Sequence, residues 1–320
     1  MRADSFHTVS HPLGEKRYYS LNDYCRETFG EKVYRLSLNG GMTCPNRDGS
    51  LSYGGCAFCS EGGSGDFAAE YTPSIGDQIA DARARITAKT NCRKFIAYFQ
   101  AYTNTYAPIP YLRDIFMQAM SHPDIVALSV GTRSDCLDDN VIDLLTELNT
   151  IKPVWIELGL QTIHNDTLLR MNTHTTFQQF ESSLARLSER GIPVIAHLIL
   201  GLPGETRKDM LASVRYVADS KVWGVKLQLL HVLKNTELAA MYQENPFSIF
   251  ELEEYCDFVI DCVELLPTDK VIHRLTGDGP KSLLIAPDWS RDKKRVINTL
   301  HRRFRERDAY QGKYCHREKE

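Results

Sequence analysis

The sequence predicts an α/β protein built as a partial (βα)6 barrel of the TIM type, followed by a small C-terminal α+β extension. Three observations carry that reading. Short apolar runs alternate with amphipathic stretches six times in succession, the rhythm of parallel strands joined by helices. The runs divide into an apolar and a polar face. After residue 240 the rhythm changes.

The strands are read at 33–39 (VYRLSLN), 94–100 (KFIAYFQ), 124–133 (DIVALSVGTR), 154–161 (VWIELGLQ), 193–201 (PVIAHLILG) and 223–232 (WGVKLQLLHV). Helices are expected between them near 75–89, 110–120, 138–149, 177–190 and 206–219. The chain then divides into an N-terminal segment (1–32), the barrel (33–240) and an extension with a basic tail (241–320). In the extension a helix near 248–266, a strand at 270–276 and a basic helix near 290–308 form a smaller unit.

Side chains alternate across a strand. In the fourth strand Val154, Ile156, Leu158 and Leu160 share the face that should meet the helices, and Glu157 and Gln161 share the other. Arg35, Ser37 and Asn39 line up in the same way, as do Tyr98 with Gln100, Ser129 with Arg133, and Lys226 with Gln228. His197 falls on the matching face of the fifth strand. A closed barrel fills its interior with branched apolar side chains. Polar groups buried there without partners would cost a few kcal/mol each. A polar lumen around a charged ligand resolves the conflict.

Composition bounds the function. The chain has 320 residues, 42% apolar and 25% charged, so it can bury a large core. No run approaches ~18 consecutive apolar residues, and the first residues lack the apolar stretch of a secretory signal. A cytoplasmic location without a membrane span is therefore expected. Residues 291–320 hold eleven Lys and Arg against five Asp and Glu, net +6, which leaves −9 for the rest of the −3 total. Such a tail suits a polyanion, or else reads as a solvated, salt-bridged terminal helix.

Nine cysteines in a chain without an export signal lean towards metal or catalysis. Three of them, Cys44, Cys56 and Cys59, fall within sixteen positions among glycines. The other six are scattered and read as small buried hydrophobes or idle thiols. Zinc needs four ligands in a structural site, so it would need a distant fourth residue. A [4Fe–4S] cluster is usually held by four thiolates. Three would leave one iron open to a cofactor or substrate.

The loop "MTCPNRDGSLSYGGCAFC" after the first strand, ending in Cys-x-aromatic-Cys, resembles the radical S-adenosylmethionine (SAM) superfamily. Its long spacing resembles the YhcC/YtqA-like group, related to the catalytic subunit of Elongator. GTRSDC (131–136) is similar to the TRPD segment of the Elongator-type enzymes, ELGLQT (157–162) to their ELG-x-Q motif, and HLILGLPGET (197–206) to their glycine-rich segment. Segments 225–238 and 272–280 also have counterparts, so the resemblance covers roughly residues 15–312. Where many relatives carry Asn-Arg-Gly-His, this chain reads MNTHTT (171–176). The ~80 residues after the barrel are too few for an acetyltransferase domain, so no acetyl-CoA reaction is predicted.

The resemblance implies that Cys44, Cys56 and Cys59 hold a [4Fe–4S] cluster whose open iron binds SAM. One-electron cleavage of the sulfonium then yields a 5′-deoxyadenosyl radical that abstracts hydrogen. Phe58 would shield the cluster or lie on adenine. The end of the second strand would meet the methionine part of SAM, with Gln100 and Asn104 as candidates. Arg133, Asp135, Glu157 and Gln161 suit its ribose and carboxylate. Gly201 and Gly204 would open backbone to the adenine or simply turn the chain. Lys226 would meet an anionic group, or form a buried salt bridge with Glu157 or Asp135. His197 is read as an interior histidine or a base. Tyr98, Tyr102 and Tyr106 would stack on a base or edge the core.

The same resemblance implies a tRNA-modifying enzyme of transferase or lyase type. It would act on the 5-substituent of uridine 34, carboxymethylaminomethyluridine or a relative, and take electrons from flavodoxin or ferredoxin. A small-molecule or peptide substrate, and a zinc-stabilised RNA-binding module, are the alternatives.

Overall fold

The computed structural model describes Leu13 and residues 16–63, 65–66, 68–277 and 279–315. Residues 1–12 and 14–15 of the expected N-terminal segment, Asp278 of the 272–280 segment and residues 316–320 of the basic tail lie outside the described residues.

Ser20 caps helix α1 (Leu21–Phe29) and exchanges hydrogen bonds with Asp23, and Gly30 ends it in the left-handed conformation. Strands and helices then alternate: β1 (Tyr34–Leu38), α2 (Ile75–Thr87), β2 (Phe95–Phe99), α3 (Ile109–Ser121), β3 (Ile125–Thr132), α4 (Asp139–Asn149), β4 (Val154–Gln161), α5 (Asn165–Arg170), α6 (Phe177–Glu189), β5 (Val194–Leu200), α7 (Arg207–Asp219) and β6 (Gly224–Leu229). Thr176 and Thr206 start α6 and α7 with capping boxes. Each such cap is worth about 1 kcal/mol. The chain continues through β7 (Val232–Leu233), α8 (Glu237–Glu244), α9 (Leu252–Leu265), β8 (Val271–Arg274), β9 (Leu284–Ala286) and α10 (Lys293–Glu306).

The main sheet is parallel and has seven strands, ordered β1-β2-β3-β4-β5-β6-β8. The expectation of six strands therefore needs correction. The strand assigned to a separate C-terminal unit pairs with β6, Gly224 opposite Val271, and becomes the last strand of the barrel. The sheet curls far enough for its two edge strands to meet through side chains. Arg35 of β1 donates to His273 Nδ1 of β8 at 2.8 Å. Strands β7 and β9 pair apart from it, as an antiparallel ribbon.

The outward faces of the strands are apolar, as expected. Leu36 and Leu38, Phe95 and Phe99, Val154 to Leu160 at every second position, and Leu198 and Leu200 pack against the helices in one core. Each fully buried large side chain contributes about 1.5–3 kcal/mol.

The inward face is not polar along its whole length. Its lower layer, Ile96, Ala127, Trp155 and Ile195, forms a second apolar cluster against Cys25, Leu21 and Tyr24 of α1. Tyr24 meets the Trp155 and Trp223 rings edge-on, at 5.8 and 4.8 Å between centroids. Helix α1 is thus a plug at the N-terminal ends of the strands. The polar inner residues begin one layer higher, with Glu157 two positions beyond Trp155 on β4.

The basic tail is largely paired. Helix α10 packs on α9, where Arg303 meets Asp257, Arg307 meets Asp261 and Glu264, and Arg302 meets Glu253. Lys294, Arg295 and Arg305 are exposed and outside these pairs. Among the described residues no helix is long and apolar enough to cross a membrane.

Candidate active site

A cavity of about 260 Å³ opens at the C-terminal ends of the strands. Its walls include the three clustered cysteines, Phe58, Gln100, Arg133, Glu157, Gln161, His197 and Lys226. Of the residues expected at the site, these are brought together. This end of the strands is where α/β barrels carry their chemistry.

The cysteine loop is built by local turns. Arg47 and Asp48 donate backbone N–H to the Cys44 carbonyl, and Cys59 N–H donates to the Cys56 carbonyl at 2.9 Å. Arg47 reaches inward to the carbonyls of Ser60 (2.5 Å) and Cys59 (3.4 Å). It lies across Gly55, where a Cβ would come within 2.7 Å of Arg47 Nε. Gly55 also holds φ at +91°, so it combines close approach with a conformation open chiefly to glycine.

All three thiols are free. The Cys56 thiol is held down to about 7, first by a hydrogen bond from Cys59 and, against burial, by Arg133, Asn46 and Arg47. Cys59 is pushed up by that bond and by burial. The thiolate is the metal-binding form. Among the described residues no three His, Cys, Asp or Glu side chains converge as a single metal ion would require. A cluster offers its ligands separate irons, so three cysteines around one cavity fit an iron–sulfur cluster with an open corner.

Arg133 is one of the cations beside the thiols, with Arg47. Its guanidinium makes a paired contact with Asp135, 2.9 and 2.8 Å. Burial works against its charge, but Asp135, with Cys56 and Cys44, holds its pKa above the usual value. Asp135 therefore orients Arg133, and the arginine is the one of the pair that lines the cavity.

At the floor, Glu157 is 1% exposed and Lys226 2%, and the two form an ion pair. This is the buried bridge, one of the two roles the sequence suggests for Lys226. Ser129 donates to Glu157 Oε1 at 3.0 Å, and Arg35 stands 3.6 Å away. Burial alone would raise the Glu157 carboxyl, but Lys226 and Arg35 hold it well below its ordinary range. One carboxylate cannot balance several cations, so the lysine yields: burial, with Arg35 and Arg274 nearby, lowers Lys226 to about 7 against the pull of Glu157. His197 is lowered to about 4, by burial and then by Lys226.

Gln161 sits where β4 slips register against β5, with φ at +58°. That region is uncommon for a residue with a side chain and often marks function. Gly159 leaves room for the Gln161 amide, which would lie 2.5 Å from a Cβ there.

Besides Asp135, three more of the expected cofactor contacts lie outside this lining. Asn104 is fully buried and donates to the Gly131 carbonyl at 2.9 Å, tying the β2 loop to β3 outside the cavity lining. Gly201 and Gly204 border a neighbouring pocket with Phe247, Ile249 and Phe250. Their φ values of +95° and +84° lie in the left-handed region, and the Arg170 guanidinium stands against the place a Gly204 Cβ would take. The wall also includes residues that sequence reasoning missed: Arg47, Thr173, Thr175, Gly159 and Arg274. Arg47 stands inside the cysteine loop, and that position is the available signal.

Two family models match the chain: the radical SAM superfamily over residues 44–217, and the radical SAM C-terminal domain over residues 222–306. The chain is 43% identical to the YtqA protein of Bacillus subtilis over 303 residues, 95% of this chain and 94% of that one. It is 26% identical to the tRNA uridine(34) acetyltransferase of Methanocaldococcus jannaschii over 163 residues, 50% of this chain and 30% of the other. The Elp3 structure of Methanocaldococcus infernus has the same fold, with a TM-score of 0.67 at 15% identity over 87% of this chain and 64% of that one.

Proposed function

This chain belongs to the radical SAM superfamily, and we propose that it modifies the 5-substituent of the wobble uridine of transfer RNA. Its cofactors are those of the family, a [4Fe–4S] cluster and SAM, and what they supply when bound is hydrogen-atom abstraction, driven by an electron from a donor such as flavodoxin or ferredoxin.

Cys44, Cys56 and Cys59 would hold the cluster, with Phe58 at its side. Arg133, fixed by Asp135, would hold an anionic or ribose oxygen in the cavity. Gln161 would offer its amide from the strained end of β4. Gln100 would reach the cofactor from the end of β2. Glu157 and Lys226 would keep the lumen polar yet dry, with the α1 plug sealing its floor, so that a reactive species meets substrate before water. His197 holds a proton on the nitrogen facing Glu157 and acts as an orienting donor.

The observation that supports a tRNA substrate is the joining of two segments. GTRSDC and ELGLQT, which resemble the Elongator-type motifs, both put side chains on the same cavity as the cysteines. The exposed cations of α10 suit a phosphate backbone. The chain covers 30% of the uridine(34) acetyltransferase that it matches, and the reaction proposed here is radical chemistry on the substituent. The narrower reading is carboxymethylaminomethyluridine or a relative, with hydrogen abstraction beside the amine opening removal or remodelling of the substituent.

Mass spectrometry of tRNA nucleosides from cells lacking the gene tests this. An accumulated wobble-uridine intermediate that purified enzyme consumes anaerobically, with SAM and reductant, is the expected result. Unchanged wobble nucleosides would overturn it and redirect the search to a small molecule or peptide.

A further inference from the structure

We propose that Asn46 and Asn172 form a reciprocal amide clasp that pre-shapes the cysteine loop, and that Asn46 is an outer hydrogen-bond donor to the cluster through Cys56.

The two asparagines are 126 positions apart and each grips the other's segment. Asn46 Nδ2 donates to the Asn172 carbonyl at 2.6 Å and to Cys56 Sγ at 3.5 Å. Asn172 Nδ2 returns the contact, donating to the Gly55 carbonyl at 3.1 Å. Between them, Ala57 N–H donates to the Met171 carbonyl at 2.9 Å, and the Ala57 carbonyl accepts from Leu238 N–H at 2.8 Å. Residues 55–57, which carry one of the three thiols, are thus held from the α5 side and from the start of α8. Ala57, Met171 and Leu238 are themselves buried in one apolar cluster, so the clasp is anchored below as well as across.

The local backbone is committed to this contact. Asn172 holds φ at +52°, a conformation that asparagine tolerates better than most side chains. Asn46 is 0% exposed, and its Oδ1 has no hydrogen-bond partner. Leaving a buried amide oxygen without a partner is destabilising. An apolar residue would remove that cost but leave the Asn172 carbonyl without its donor. What the amide adds is a donor aimed at a ligand sulfur.

Hydrogen bonds to the sulfurs help set the reduction potential of an iron–sulfur centre. A donor stabilises the more negative, reduced form and so raises the potential. Outer-shell partners typically change metal affinity by ~10–100-fold. Asn46 is therefore a positioning residue with two separable effects, on potential and on retention. Asn172 carries only the second, because its amide touches loop backbone and no sulfur. The inference is independent of the substrate.

The test uses full-length protein, reconstituted anaerobically with iron and sulfide. Asn46→Ala and the shape-matched Asn46→Asp should both lower the midpoint potential and speed iron loss to a chelator by ~10-fold or more. Asn172→Gly keeps the backbone conformation and removes only the amide. It should speed iron loss while leaving the potential at the wild-type value. Circular dichroism of each variant checks folding, and the Asn172→Gly result stands even if an Asn46 variant fails to fold. Wild-type potential in a folded Asn46 variant would overturn the sulfur contact. Wild-type chelator resistance in Asn172→Gly would overturn the clasp.

Discussion

His197 Nε2 lies 2.8 Å from Glu157 Oε2, and because an ionised carboxylate only accepts, the imidazole donates there. Burial and Lys226 lower the folded pKa of His197 to about 4, below its ordinary 6.5. The unfolded chain therefore takes up this proton first as pH falls. Stability should drop with falling pH between about 6.5 and 4. Glu157, held below 4.5 in the fold, adds a loss of the same sign at lower pH. Urea unfolding across that range should show a smaller slope for His197→Gln, which keeps a donor and cannot titrate. An unchanged slope would show that His197 is not the group responsible.

Glu157 is in contact with both Lys226 and Arg35. Glu157→Gln should destabilise by about 3–5 kcal/mol, because a buried cation loses its partner. Pairing it with Lys226→Met should recover part of that loss. A double-mutant cycle by denaturant unfolding measures the coupling, and additive losses would sink this account of the floor.

Trp155 is the largest inward side chain of the lower layer, 1% exposed. Trp155→Ala should cost about 3–5 kcal/mol through the cavity it leaves between sheet and α1. A loss within about 1 kcal/mol would mean that α1 is not a packed plug.

Charge on α10 separates into structural and available parts. Arg303 is engaged with Asp257, so Arg303→Gln should lower thermal stability and leave tRNA affinity near wild type. Lys294→Glu with Arg295→Glu should leave stability unchanged and weaken tRNA binding. The log–log salt dependence of binding should become shallower, by roughly 0.7–0.9 for each phosphate no longer neutralised. Filter binding at several salt concentrations reads both.

Single serine replacements of Cys44, Cys56 or Cys59 should leave protein that folds but retains little iron and no cluster absorbance after reconstitution. Full iron content in any one of them would remove that cysteine from the ligand set.

Much of the fold was legible because its signals are local. Alternation along β4 separates Val154, Ile156, Leu158 and Leu160 from Glu157 and Gln161, and the structure keeps that division. The cysteine loop was legible for the same reason, since its ligands and glycines lie within sixteen residues. The seventh strand was misplaced because four residues, Val271–Arg274, carry little periodic signal, and their pairing with β6 is a long-range choice. Asn104 and the two glycines have only their position near a strand end to speak for them. Nothing local tells whether such a residue turns into the cavity or ties down a neighbouring loop.

The strand rhythm, the face that would be polar and the triad of thiols follow from the sequence alone, because periodicity and short spacing act on neighbours along the chain. Tertiary structure decided the rest. It set α1 beneath Trp155, closed Lys226 onto Glu157, brought Asn172 across to Asn46, and spent much of the α10 charge on α9. Each of these joins residues far apart in the chain, so its energy depends on burial and distance that exist only once the sheet has curled.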